Sequence, residues 1–140
     1  MRLLLLSLIT IAAAFAQQQP VAFSHKQHAG DLKLKCATCH ENPDPGEKMM
    51  LPKPAVCGQC HVGKYDREIK WAPVYVLPDF VFFSHKAHVA AGNQCESCHG
   101  PVAQRVTIRR ETDLSMGACM NCHREKKASV ECTYCHDQQN

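Results

Sequence analysis

The chain has 140 residues, ten of them cysteine and nine histidine, with 16 basic and 13 acidic side chains for a formal charge of +3. That length holds one small domain. The weak charge, and aromatics that are not interleaved with the basic clusters, argue against a nucleic-acid surface; no phosphate-cradling glycine loop or Ser-His-Asp arrangement appears in the chain.

At the N-terminus, Met1-Arg2 precedes an apolar run from Leu3 to Phe15, and Ala14-Phe15-Ala16 offers an A-x-A cleavage site before Gln17. This is the pattern of a secretory signal peptide over residues 1–16, which leaves 17–140 as the mature domain. The run falls short of the roughly 20 apolar residues that span a bilayer, so cleavage is expected rather than a retained anchor. No later stretch is apolar enough to span a membrane.

Phe23-Ser24-His25-Lys26-Gln27-His28 follows, and sixty residues later the phrase returns as Phe83-Ser84-His85-Lys86-Ala87-His88, an internal repeat. Two Cys-x-x-Cys-His motifs follow each copy: Cys36–His40 and Cys57–His61 after the first, Cys95–His99 and Cys119–His123 after the second. A fifth, Cys132–His136, closes the chain. The organisation expected is two diverged modules, about 21–70 and 80–126, with the extra motif at 132–136.

Cys-x-x-Cys-His is the attachment signature of c-type haem. The two thiols add across the porphyrin vinyl groups as thioethers, and the next residue stands under the iron. A zinc ribbon has no need of a histidine after each knuckle, and five knuckles do not pair evenly. A disulfide scaffold has no reason to repeat that histidine either. The cofactor expected is therefore five covalently bound haem c. Cys36, Cys39, Cys57, Cys60, Cys95, Cys98, Cys119, Cys122, Cys132 and Cys135 would form the thioethers, and His40, His61, His99, His123 and His136 would be proximal iron ligands. Such haem is attached outside the cytoplasm, so the signal segment and the motifs agree on export, to a bacterial periplasm.

The four histidines outside the motifs, His25, His28, His85 and His88, all fall in the twin phrases. A scattering of surface histidines explains neither that restriction nor the repeat, so they are read as distal axial ligands. Residues three apart on a helical turn share a face, so each phrase reaches two adjacent irons. Phe23 and Phe83 are expected to pack on porphyrin. Five irons outnumber four distal histidines; Met116 is the first candidate for the remaining position, followed by Met49 and Met50, and a Met/His haem has a raised potential.

Between the motifs, 42–54 contains four prolines and reads as an irregular loop. Residues 65–70 suggest a helical turn, and 71–83, with Pro73 and Pro78, an extended segment. Residues 106–109 suggest a short strand that pairs with 74–76 in a small ribbon. Ser115 is placed to cap a helix carrying Cys119. The basic groups Lys33/Lys35, Arg105/Arg109/Arg110 and Arg124/Lys126/Lys127 read as a solvated face, with docking of an acidic redox partner as the alternative. Apolar side chains after the signal run are few and scattered. The fold expected is therefore irregular chain with short α-helices wrapped around stacked haems, with at most a small β-ribbon.

The phrase F-S-H-x-x-H ahead of clustered motifs resembles the class III multihaem cytochromes c, short chains wrapped around stacked bis-histidine haems. In that family the first histidine of the phrase serves the nearest following haem. The resemblance thus implies pairing of His25 with His40 and of His85 with His99, while His28 and His88 serve haems further along, His61 and His123 being the simplest partners. The stretches Ser24–Gly30, Leu77–His85 and Leu114–Cys119 are also similar to the pentahaem subunits of bacterial alternative complex III, a quinol:electron-carrier oxidoreductase. That similarity implies other redox proteins and a membrane quinol-oxidising complex as partners, with association at the inner membrane through that complex. The function expected is electron transfer along closely spaced haems, without catalytic residues; the alternative is a reductase whose fifth haem keeps an open coordination site. A chain this poor in apolar side chains should not fold without haem: a form with its motif cysteines changed to serine is expected to show no cooperative melt by circular dichroism.

Overall fold

The computed structural model describes residues 19–41 and 49–136. The signal segment 1–16 and most of the proline-rich loop, 42–48, lie outside the described residues. In chain order come a π-helical turn Lys26–Asp31, α1 Cys36–Cys39, α2 Pro54–Gly58, α3 His85–Ala90, α4 Cys95–His99, a 3₁₀ turn Val102–Gln104, α5 Met116–Glu125 and α6 Cys132–His136. There is no strand among the described residues. The fold is that of a small multihaem cytochrome, short helices joined by irregular chain.

The longest helix, α5, has 10 residues, and isolated helices below about 12–15 residues are marginal in water. Tertiary packing must hold such elements, yet none of the described side chains is buried. The chain supplies no polypeptide core, which fits a polypeptide shaped to wrap large apolar cofactors. No helix among the described residues is long and apolar enough to cross a membrane.

Local chemistry sets the helix starts. The Ser115 hydroxyl accepts the Ala118 N–H at 3.3 Å, the expected N-cap of α5, while the Asp113 carboxylate accepts the Ser115 N–H. Pro54 opens α2, where a missing N–H costs nothing. In the twin phrases Ser24 Oγ accepts the Gln27 N–H at 3.2 Å, and Ser84 Oγ accepts the Ala87 N–H at 3.1 Å. At the end of α4, Gly100 takes φ 70°, a left-handed turn that glycine adopts without steric cost.

The two phrases start alike and then diverge. The second winds as α3, whereas the first runs into a π-turn in which Leu32 N–H reaches back five residues to Gln27 O at 3.0 Å. The first packs against the 3₁₀ turn Val102–Gln104, with Lys26 N–H donating to Arg105 O at 2.8 Å. Gly30 lies directly on the Ala103 carbonyl, leaving no room for a Cβ.

Two expected elements are absent. Residues 65–70 are not helical; the turn falls earlier, at 62–64, where Lys64 N–H donates to His61 O at 3.1 Å. One helical turn with no face to bury gains too little to form. The ribbon between 74–76 and 106–109 does not form either. The Tyr75 hydroxyl lies between the two segments, 3.0 Å from His99 O and 3.3 Å from Arg109 O, and accepts the Glu111 N–H at 3.3 Å. A side chain thus holds together what a backbone ladder was expected to join. Residues 71–83 are extended and turn-like, as the prolines require.

Gly30→Ala should lower the stability of the holoprotein by about 1–3 kcal/mol through overpacking against Ala103. Gly117→Ala, where a Cβ meets only Ser115 Oγ at 3.9 Å, should be neutral or stabilising by up to ~1 kcal/mol. Thermal melts of the two variants check the contrast.

Candidate functional site

Each Cys-x-x-Cys-His motif is wound into a helical turn, in α1, α4, α5 and α6 or at the end of α2. His40 N–H donates to Cys36 O and His61 N–H to Cys57 O, both at 2.9 Å. Winding brings the two sulfurs, three residues apart, onto one side, with the histidine just beyond. None of the ten cysteines is paired in a disulfide. Among the described residues no three or more His, Cys, Asp or Glu side chains converge as they would around a zinc ion.

The histidines of the motifs meet those of the twin phrases. The ring centres of His25 and His40 are 6.3 Å apart with planes 4° from parallel, and those of His85 and His99 are 6.3 Å apart and 5° from parallel. His28 stands 6.2 Å from His61, tilted by 55°, and His88 stands 6.0 Å from His123, tilted by 43°. A metal–imidazole bond is about 2.0–2.1 Å and a ring centre lies about 1.1 Å behind its nitrogen, so one metal held between two imidazoles puts their centres about 6.3 Å apart. The four observed separations match that width, and the residues present fit iron ligation.

The other ring nitrogens are also held. Nδ1 of His28 donates to Ser24 O at 2.9 Å, His40 to Met50 O at 3.0 Å, His88 to Ser84 O at 2.7 Å, His123 to Ser129 O at 2.6 Å and His136 to Phe80 O at 3.2 Å. A carbonyl only accepts, so the proton sits on Nδ1 and Nε2 keeps its lone pair outward, as metal-binding histidines do. Burial, and then the nearby His40 and His28 rings, push His25 down to about 4. His99 is lowered by burial and then by His85 and His40. Both are therefore neutral imidazoles at neutral pH, the form that binds metal.

Phe23 stacks on His28 with centres 4.5 Å apart and meets His25 edge-on at 4.9 Å; Phe83 does the same to His88 and His85 at 4.4 and 4.8 Å. The two phenylalanines thus pack on the imidazoles of their own phrases. The thiols form a chain of neighbours. Cys36 lies near Cys95, Cys39 near Cys57 and Cys60, Cys98 near Cys119 and Cys122, and Cys119 near Cys135. Burial is the main cause raising Cys36, Cys39, Cys98 and Cys119 above the usual thiol value.

Met116 opens α5 with 65% of its surface exposed. Met50 presents its carbonyl, not its sulfur, to His40. Three residues that motif reading passed over also shape the site. Tyr75 meets His99 edge-on at 4.6 Å, Phe80 lies against His136 at 5.8 Å, and Trp71 meets Phe23 at 6.2 Å while its indole N–H donates to Pro52 O at 2.9 Å. The aromatic content of 71–83 was the available signal.

Cysteine pairs, each wound into a turn that ends on an imidazole, have the form that haem attachment requires, and the class they point to is that of the multihaem c-type cytochromes. The family model of cytochrome c7 and related cytochrome c matches residues 21–72 and 81–137, and the chain belongs to that family. The chain is also 30% identical over 162 aligned residues to the menaquinone reductase, multiheme cytochrome c subunit, of Nitratidesulfovibrio vulgaris strain Hildenborough, an alignment covering 86% of this chain and 77% of that one. As a member of its family the protein carries covalently bound haem c and transfers electrons.

Tyr75→Phe removes the hydroxyl shared by His99, Arg109 and Glu111. It should cost about 1–3 kcal/mol of holoprotein stability, from polar groups left unpaired, while the mass of the protein shows unchanged haem content. A thermal melt and an intact-mass measurement check both halves.

Proposed function

We propose that the mature protein is a periplasmic pentahaem cytochrome, exported by cleavage after residue 16, that relays electrons singly along closely spaced haems and is not itself an enzyme. The observation that carries this reading is the set of four imidazole pairs at 6.0–6.3 Å. In this reading the ten motif cysteines tether the cofactors and His40, His61, His99, His123 and His136 are proximal ligands. His25, His28, His85 and His88 are distal to His40, His61, His99 and His123 respectively. Residues 17–140 form one domain of two modules plus the terminal motif.

Bound haem supplies the redox couple; the chain supplies ligands, spacing and docking surface. Imidazoles fixed through Nδ1, as those of His28, His40, His88, His123 and His136 are, would reorient little during electron transfer. Met116 is the proposed distal ligand of the fifth haem. It lies three residues before Cys119 on α5, and Cys119 neighbours Cys135. Menaquinone reductase association of the relative supports a quinone-linked complex at the inner membrane as the partner.

The shortage of a fifth distal histidine favours one second reading, a reductase that uses an open fifth haem. Intact-mass spectrometry of the exported protein should show five added macrocycles and loss of residues 1–16. Electron paramagnetic resonance then separates the readings: five low-spin ferric haems support the carrier, whereas a high-spin haem that binds cyanide or nitric oxide supports the reductase. An unmodified polypeptide mass refutes both.

A further inference from the structure

The twin phrases place their sites in pairs. His25 and His28 sit one helical turn apart and face His40 and His61, so the first and second sites are neighbours. By the same logic His85 and His88 make the third and fourth sites neighbours. What joins the two pairs is the packing of the π-turn that follows His25 onto the 3₁₀ turn that follows His99. Lys26 N–H is bonded to Arg105 O at 2.8 Å, and Gly30 lies against Ala103. The first site is thereby set beside the third, and Cys36 and Cys95, the leading cysteines of those two motifs, are neighbours. The fifth motif docks on the segment before the second phrase, through Phe82 N–H to Cys135 O at 2.8 Å and His136 Nδ1 to Phe80 O, and Cys135 neighbours Cys119 of the fourth.

We propose that the five haem sites lie in the spatial order second, first, third, fourth, fifth, so that electrons cross the molecule between the first site of each half and are exchanged with partners at the two ends, Cys57–His61 and Cys132–His136. The order rests on the five-haem reading above. Exposure agrees with it: among the motif histidines, His61 and His136 are exposed, while His40, His99 and His123 are half-buried. The residue after His61, Val62, is 88% exposed, and Tyr134, inside the fifth motif, is 65% exposed. Each step moves one electron from a ferrous to a ferric site with no bond made or broken, so the partners at both ends are one-electron redox proteins. Chain order, with the second site interposed between the first and the third, would need the contact between the halves to involve Cys57–His61, whereas the packing that joins the halves is that of Lys26–Asp31 on Val102–Gln104.

The test is nuclear Overhauser contacts between haem methyl groups in the fully reduced holoprotein, each macrocycle assigned through its contacts with its own motif. Contacts are expected for first with second, first with third, third with fourth and fourth with fifth. Absence of a first-to-third contact, or a second-to-third contact in its place, overturns the order. The intact mass keeps the two claims apart: fewer than five macrocycles refutes the pentahaem reading, whereas five macrocycles in chain order refute only the arrangement.

Discussion

The structure depends on one recurrent bond, an imidazole Nδ1–H given to a main-chain carbonyl. In the twin phrases the acceptor is the serine four residues back, Ser24 for His28 and Ser84 for His88. In the motifs it is a carbonyl from another part of the chain: Met50 for His40, Ser129 for His123, Phe80 for His136. The bond fixes the tautomer and the ring orientation together. It makes the path of the irregular segments part of the site. Met50, Phe80 and Ser129 act here through the main chain, their carbonyls deciding where three nitrogens point.

Because no described side chain is buried, the remaining polypeptide bonds act as clasps on short elements. Arg105 grips Glu111 with two hydrogen bonds, at 2.6 and 2.8 Å, and Arg109 adds a third at 3.1 Å. The hydrogen bond from Arg105, with help from Arg109, pulls the Glu111 carboxyl down to about 2. Exposed ion pairs are individually weak, so the significance of this one is positional. It closes residues 105–111 into a loop beside Tyr75 and Gly100, next to His99. Two of the arginines in the basic group read as a solvated face are in this way engaged within the chain.

Much of the site was legible because haem attachment is written in contiguous residues. The five pentapeptides and the twin phrases can be read from spacing alone, since the chemistry demands a cysteine, a cysteine and a histidine within one turn, whereas the pairing of their histidines was implied by the family resemblance. The cap at Ser115 followed from side-chain chemistry and the extended course of 71–83 from its prolines, whereas the strand suggested at 106–109 and its ribbon with 74–76 did not form. What spacing could not carry was anything set by contact between distant segments. The role of Tyr75 depends on three partners 24 to 36 residues away. The π-turn depends on Gly30 meeting Ala103, for which the phrase itself, nearly identical in its α-helical copy, carries no signal. The stacking of Phe23 and Phe83 on imidazole likewise required coordinates.

The contact of Cys36 with Cys95 joins equivalent positions of the two repeats. A surface that meets its own counterpart is self-complementary, the character of a two-fold interface between identical subunits. Gene duplication of the shorter unit would then bring its association surface along with it, and fusion would have only to add a tether. Residues 71–82, extended and punctuated by prolines, have the make-up of such a tether, and longer cytochromes of this kind can grow by appending further units at an exposed end without disturbing the existing junction.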